Sequence, residues 1–419
     1  MSTYTSRYSI YVATLLFCAV PMAPSSVLAQ EDDESESASK SAPAPTISQR
    51  TGEKLNEAIE LMNAEDYAGA VAVLSDINLE KTSPYERSRI HQIWSGISYA
   101  QGDPQAARDN LTKAINAGGF NEREISQARY QIAQMYMAEE NWKDGAAALE
   151  EWFRTATGAN SAAYYLLAAA YYQMEDLDRA LEPAKKAVEL TENPQPSWIE
   201  LLLGLYLQRE NYAASVPLLE RLIAMEPEKK SHWLRLSSLY QQQEKYAPAL
   251  AAMQVAYNAG FLETESDYVR LADMLRFNDI PYRAARVLEK AIEDDKVKGS
   301  AEIYEKLANA WIQARDFDSA IPPLERAAGM ADNGDLYARL GQVQIQREDW
   351  DGAVAALQKG IDKGELDDPG NSHLMMGIAL FNQKNLGDAR EWFQRATRSE
   401  KHQKMAASYI QLIDSRRGP

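Results

Sequence analysis

Four histidines, His91, His232, His373 and His402, are the residues best suited to hold a metal or move a proton, and their spacing argues against either task. They are far apart in sequence. None has a second His or a carboxylate placed to share one helical face with it, as a metal site requires. No GxxxxGK[ST] loop, GxGxxG turn, GxSxG elbow or HExxH pair occurs. The many carboxylates make chance acid pairs inevitable, so such pairs say nothing about glycoside chemistry. The expectation is therefore a protein that is not an enzyme, with no catalytic, cofactor-binding or metal residues.

Two other sets of side chains are arranged for binding. Arg235, Arg270, Lys306 and Arg339 recur at the same place in successive segments, with Asp273, Glu302, Glu305 and Asp335 nearby. Such a row could grip the carboxylates of a bound peptide. Alternatively the acids could neutralise it across adjacent helices, the commoner outcome for surface charges. Gln173, Gln208, Gln242, Gln313 and Gln346 form a second row, continued by Asn63 and Asn382. Side-chain amides both donate and accept, so they can hold an extended peptide backbone without reading its sequence. Tyr99, Tyr172, Leu207, Ile312, Ile345 and Phe381 are expected on the same face. Trp94, Trp142, Trp152, Trp233, Trp311 and Trp350 occupy large apolar core positions, whereas Trp198 and Trp392 fall off that pattern and are candidates for binding.

The elements that would position these rows are helical hairpins. In Tyr304 to Met330, Leu307, Ala308 and Trp311 recur at helical spacing, and Ile321, Leu324 and Ala327 do so again after a polar break. Ala320 lets the two helices approach. Its equivalents are Ala70, Ala107, Gly145, Ala180, Ser215, Ala249, Ala284, Ala353 and Ala389, at steps of 33 to 38 residues, most of them 34 to 36. Asp66, Asp103, Asn141, Asp176, Asn211, Asp316, Asp349 and Asn385 each stand just before a second helix, where a side-chain oxygen can accept from an unpaired first-turn amide. Pro104 and Pro281 fall at first helical positions, while Pro183, Pro217, Pro322 and Pro323 lie deeper and predict local kinks. Gly followed by Phe or Leu at the NAGGF and NAGFL junctions predicts left-handed helix ends. Lys404 to Ile413 predicts a last helix with Met405, Tyr409, Leu412 and Ile413 on its packed side.

The period and the small-residue pattern resemble tetratricopeptide-repeat (TPR) arrays. They predict an all-α fold, a right-handed TPR superhelix (α-solenoid) of about ten helical hairpins plus a C-terminal capping helix. The array spans residues 49–399, with the capping helix and tail at 400–419. Ahead of it, Arg7, the apolar run from Ile10 to Val20 and the small or short residues Val27, Leu28 and Ala29 predict a cleaved signal peptide over 1–29. Phe17 before Cys18 does not fit a lipoprotein signal. Residues 30–48, acidic and rich in Ser and Pro, predict a disordered leader. Cleavage would leave no cysteine and no membrane span. With 61 acidic against 44 basic residues and a formal charge of -17, nucleic acid and anionic lipid are poor partners.

A closer resemblance rests on SWIELLLGLYLQRENYAASVPLLERLIAMEP, HWLRLSSLYQQQEKYAPALAAMQVAYNAGFL, PYRAARVLEKAIEDDKV and DPGNSHLMMGIALFNQKNLGDAREWFQRA, in this order. Together they resemble the periplasmic tetratricopeptide protein encoded beside accessory TonB systems of Gram-negative bacteria. The resemblance implies an exported, non-catalytic scaffold working with TonB, ExbB or ExbD in energy transduction and uptake across the outer membrane. The alternative is an adaptor for envelope assembly or polysaccharide export. It transfers no site residues, and the carboxylate clamp of chaperone-binding relatives is not reproduced, since Tyr165, Leu234 and Val269 fill the places of its first Lys.

Overall fold

The computed structural model describes residues 46–156 and 158–416. The expected signal peptide and all but the end of the leader lie outside the described residues. Those described form α-helices joined by short turns, with one 3-10 turn at Leu79–Lys81 and no strand among them.

The chain divides into two compact units, Met1–Arg209 and Glu210–Pro419. The first holds α1 (Gln49–Asn63), α2 (Tyr67–Ser75), α3 (Pro84–Ala100), α4 (Pro104–Asn116), α5 (Glu122–Ala138), α6 (Trp142–Thr155), α7 (Ser161–Gln173), α8 (Leu177–Glu189) and α9 (Pro196–Gln208). The second begins with α10 (Tyr212–Met225) and continues through α11 (Lys230–Gln242), α12 (Tyr246–Asn258), α13 (Glu265–Phe277), α14 (Pro281–Glu293), α15 (Ala301–Gln313) and α16 (Phe317–Met330). It ends with α17 (Asp335–Gln346), α18 (Trp350–Lys363), α19 (Pro369–Asn382), α20 (Leu386–Ala396) and α21 (Glu400–Arg416). Each unit is an α-solenoid in which consecutive helices pair as hairpins and stack on the next pair.

Packing follows the repeat register. The ten small residues from Ala70 to Ala389 are all buried in their helices, at positions that leave little room for a larger side chain. Ser215 keeps its hydroxyl satisfied by donating to the Asn211 carbonyl at 2.9 Å. Around α13 the core joins Leu271, Leu275, Leu288, Leu307 and Trp311 across successive hairpins, so no hairpin buries its apolar face alone.

The turns inside the hairpins share one construction. All eight expected caps accept a hydrogen bond from the backbone N–H three residues on, as Asp316 does from Ser319 at 3.1 Å. The residue just before each second helix's N-cap has positive φ in every turn: Glu65, Gly102, Glu140, Glu175, Glu210, Glu244, Asp279, Arg315, Glu348 and Lys384. In α15–α16, the Arg315 N–H binds the Ile312 carbonyl at 3.0 Å and the Asp316 N–H binds the Trp311 carbonyl at 3.0 Å. Asp316 thus closes one helix with its backbone and opens the next with its side chain.

Helices α8, α10 and α16 continue unbroken through Pro183, Pro217 and Pro322–Pro323. Gly118 and Gly260 take positive φ at the expected junctions, and Phe120 and Leu262 just beyond them are buried. The final helix corrects one expectation. The stripe of α21 that packs is His402, Ala406, Tyr409 and Ile413, while Met405 and Leu412 are exposed.

Candidate functional site

First helices end on the amide row. Gln173, Gln208, Gln242, Gln313 and Gln346 are each the last residue of their helix and all are exposed. Asn63 and Asn382 end α1 and α19 in the same way. The side chains of Gln173, Gln208, Gln242 and Gln346 bond to no described residue. Gln313 differs: it accepts from Arg276 Nε and donates to the Arg276 carbonyl, both at 3.3 Å. Asn382 donates to the Ile378 carbonyl at 2.8 Å.

The basic row is largely neutralised. Lys306 Nζ on α15 lies 3.0 Å from Asp273 on α13, and Arg339 on α17 lies 3.4 Å from Glu305 on α15. These pairs tie neighbouring first helices together, so the second of the two readings above holds for both residues. Arg235 is half-buried and also engaged. Arg270 is exposed and pairs with no described residue.

Arg270 lines a cleft of about 460 Å³ with Gln241, Tyr246, Val269, Met274 and Phe277. Phe277 is 65% exposed, the most of the large apolar side chains among the described residues, and its ring lies 4.6 Å from that of Tyr246, itself 41% exposed. Phe277 ends α13 at the place where Gln242 ends α11 and Gln313 ends α15. The interruption of the amide row is visible in the sequence, but nothing there distinguishes an exposed ring from a buried one.

The tryptophans need one correction. Trp198 is buried and stacks on Tyr165 with ring centroids 5.8 Å apart, which removes it as a binding residue. Trp392 is half-buried, 5.4 Å from the His373 ring, with the Arg395 guanidinium 4.2 Å above it. Of those assigned to the core, Trp152 and Trp311 are buried and Trp94, Trp142, Trp233 and Trp350 are half-buried. Tyr99, Tyr172, Leu207, Ile312, Ile345 and Phe381 are likewise half-buried.

Titratable groups hold structural positions. His232 is fully buried, with Nε2 3.0 Å from Glu226, and His402 Nε2 lies 3.0 Å from both Asp368 oxygens. Burial pushes the Asp368 carboxyl up, but hydrogen bonds from His402, Lys401 and the Asn371 N–H outweigh it and hold it well below the usual carboxylate range. Burial likewise raises Glu86, yet bonds from Ser48 and Ser83 bring it to about 2, clamping the start of α3 to the start of α1. Burial first, then Lys113, lowers His91, while burial, then Arg395 and Arg398, lowers His373. Tyr171 is pushed up to about 12 by burial and by the Glu150 carboxylate it donates to. Among the described residues no group of three His, Cys, Asp or Glu side chains could hold a metal, and no helix is long and apolar enough to cross a membrane.

Known proteins share the repeat. A tetratricopeptide-repeat model matches residues 205–261, 278–335 and 338–402, and a second such model matches 161–194. Among solved structures, MamA protein is 21% identical over 42% of this chain and 93% of its own, with a TM-score of 0.35. YrrB, described as a TPR protein with an unusual peptide-binding site, is 16% identical over 45% of this chain and 96% of its own, with a TM-score of 0.36. A tetratricopeptide repeat protein from Parabacteroides merdae is 14% identical over 62% and 99%, with a TM-score of 0.34. No curated protein matches this chain in sequence.

Proposed function

Since this chain belongs to the tetratricopeptide-repeat proteins, we propose that it is a non-catalytic periplasmic scaffold, a component or adaptor of a TonB-dependent energy-transduction and outer-membrane uptake system. The binding part of this reading is carried by exposed helix-end amides whose side chains bond to no described residue, Gln173 and Gln208 in the first unit and Gln242 and Gln346 in the second. Within either unit, helix-end amides that serve no fold contact are suited to hold an extended chain by its backbone. The TonB assignment is supported by the resemblance of the four quoted segments. TonB-type proteins carry an extended Pro-rich segment with Lys, and a chain of formal charge -17 attracts such a segment at little entropic cost.

A photoreactive residue replacing Gln346, followed by crosslinking in cells and identification of the captured proteins, tests the assignment. Capture of TonB, ExbB or ExbD is expected. Capture of envelope-assembly or polysaccharide-export factors without any of these would replace it with the adaptor alternative.

A further inference from the structure

We propose that the cleft at the end of α13 is a separate peptide subsite that takes a carboxylate and an aromatic side chain about three residues apart on an extended segment. The inference rests on reading the chain as protein-binding and is independent of which system it serves.

The charge argument starts from Asp273, the carboxylate inside the cleft. It is already held by Lys306 at 3.0 Å and by Arg276 at 3.8 Å. Arg270, on the same wall, has no such partner, so the unspent charge of the cleft is positive within a strongly acidic chain. A guanidinium exposed this way is matched by an incoming carboxylate through paired N–H donors.

The apolar argument starts from Phe277. At its place in the repeat, neighbouring first helices carry Gln, so the fold does not require a ring there. Phe277 is nonetheless 65% exposed and forms with Tyr246 an open aromatic pair at the rim of the cleft. Such a pair accepts a planar ring in a tilted or offset stack. The volume, about 460 Å³, lies within the range of sites that enclose small groups.

Geometry sets the spacing. Arg270 and Phe277 are two turns apart on one face of α13, or about 10 Å along the axis. A peptide extended in the polyproline II conformation advances about 3.1 Å per residue and returns to the same face every third residue, so the two matching side chains stand about three residues apart.

The test is fluorescence anisotropy with labelled peptides of Gly and Ser, each carrying one Glu and one Phe at varied separation, against the full mature chain. Binding should be tightest near a separation of three and should weaken when Lys replaces Glu. Arg270→Gln and Phe277→Gln should each weaken it about tenfold, the loss of one charge-assisted or aromatic contact. Both positions are on the surface, and Phe277→Gln installs the residue that the neighbouring repeats already use. Failure of every peptide to bind, equal binding of the Lys peptides, or indifference to both substitutions would overturn the subsite. If Gln346 still captures a partner in cells in that case, the scaffold reading survives and only this subsite falls.

Discussion

Hairpin α15–α16 ends its first helix in Gln313, an amide tied to Arg276, and opens its second with Asp316 as a bonded cap. Hairpin α13–α14 ends its first helix in the exposed ring of Phe277 and opens its second at Ile280, which makes no side-chain cap and instead packs against the core. Yet the two turns have the same backbone: φ is 57° at Asp279 and 60° at Arg315, and the following N–H reaches back to Leu275 at 2.9 Å or Trp311 at 3.0 Å. The repeat therefore constrains backbone and interior, and leaves the helix ends free to diverge. That freedom is where recognition can be written without disturbing the fold.

The largest expected effect tests the shared part. Leu288 on α14 and Leu324 on α16 are both essentially fully buried. Leu288→Ala and Leu324→Ala should each cost about 3 kcal/mol, read as a lowered urea midpoint, because each leaves a cavity that the stacked helices cannot collapse. A loss in one hairpin well below that in the other would break the claim that their interiors are equivalent. A smaller effect tests a divergent feature: Asp316→Ala should cost about 1 kcal/mol by stranding the Ser319 amide. The α13–α14 hairpin has no corresponding bond to lose.

How far the sequence reveals these features depends on the physics behind each. The small residue of every second helix and the eight caps are legible because volume and a backbone-accepting oxygen leave few alternatives at their positions. The positive φ before each N-cap was hidden, since Gly102 alone among the ten turns carries the residue that usually marks it and the others are mostly Glu. The basic row was legible as a row, but its pairing with Asp273 and Glu305 depends on rotamers across neighbouring helices. In α21 two apolar stripes share Tyr409 and Ile413, and periodicity alone does not separate the stripe through Met405 from the one through Ala406, which packs. Phe277 broke the amide row in plain view, but exposure depends on what the next hairpin covers.

The smallest effect sharpens the comparison at the turn itself. An L-residue at positive φ is strained by its Cβ against neighbouring backbone, and Asp bears this better than Arg because its short side chain can bond locally. Arg315 is exposed and its side chain bonds to no described residue, so Arg315→Gly removes strain and nothing else in the folded state. The added freedom of glycine in the unfolded chain offsets part of that gain, leaving a net stabilisation of about 0.5 kcal/mol. Asp279→Gly should gain less, because less strain is there to relieve. Paired urea titrations of the two variants would separate these outcomes. Equal gains would mean that the backbone alone sets the strain in both turns, and a loss at Arg315 would mean that its side chain holds the turn by a contact absent from this structure.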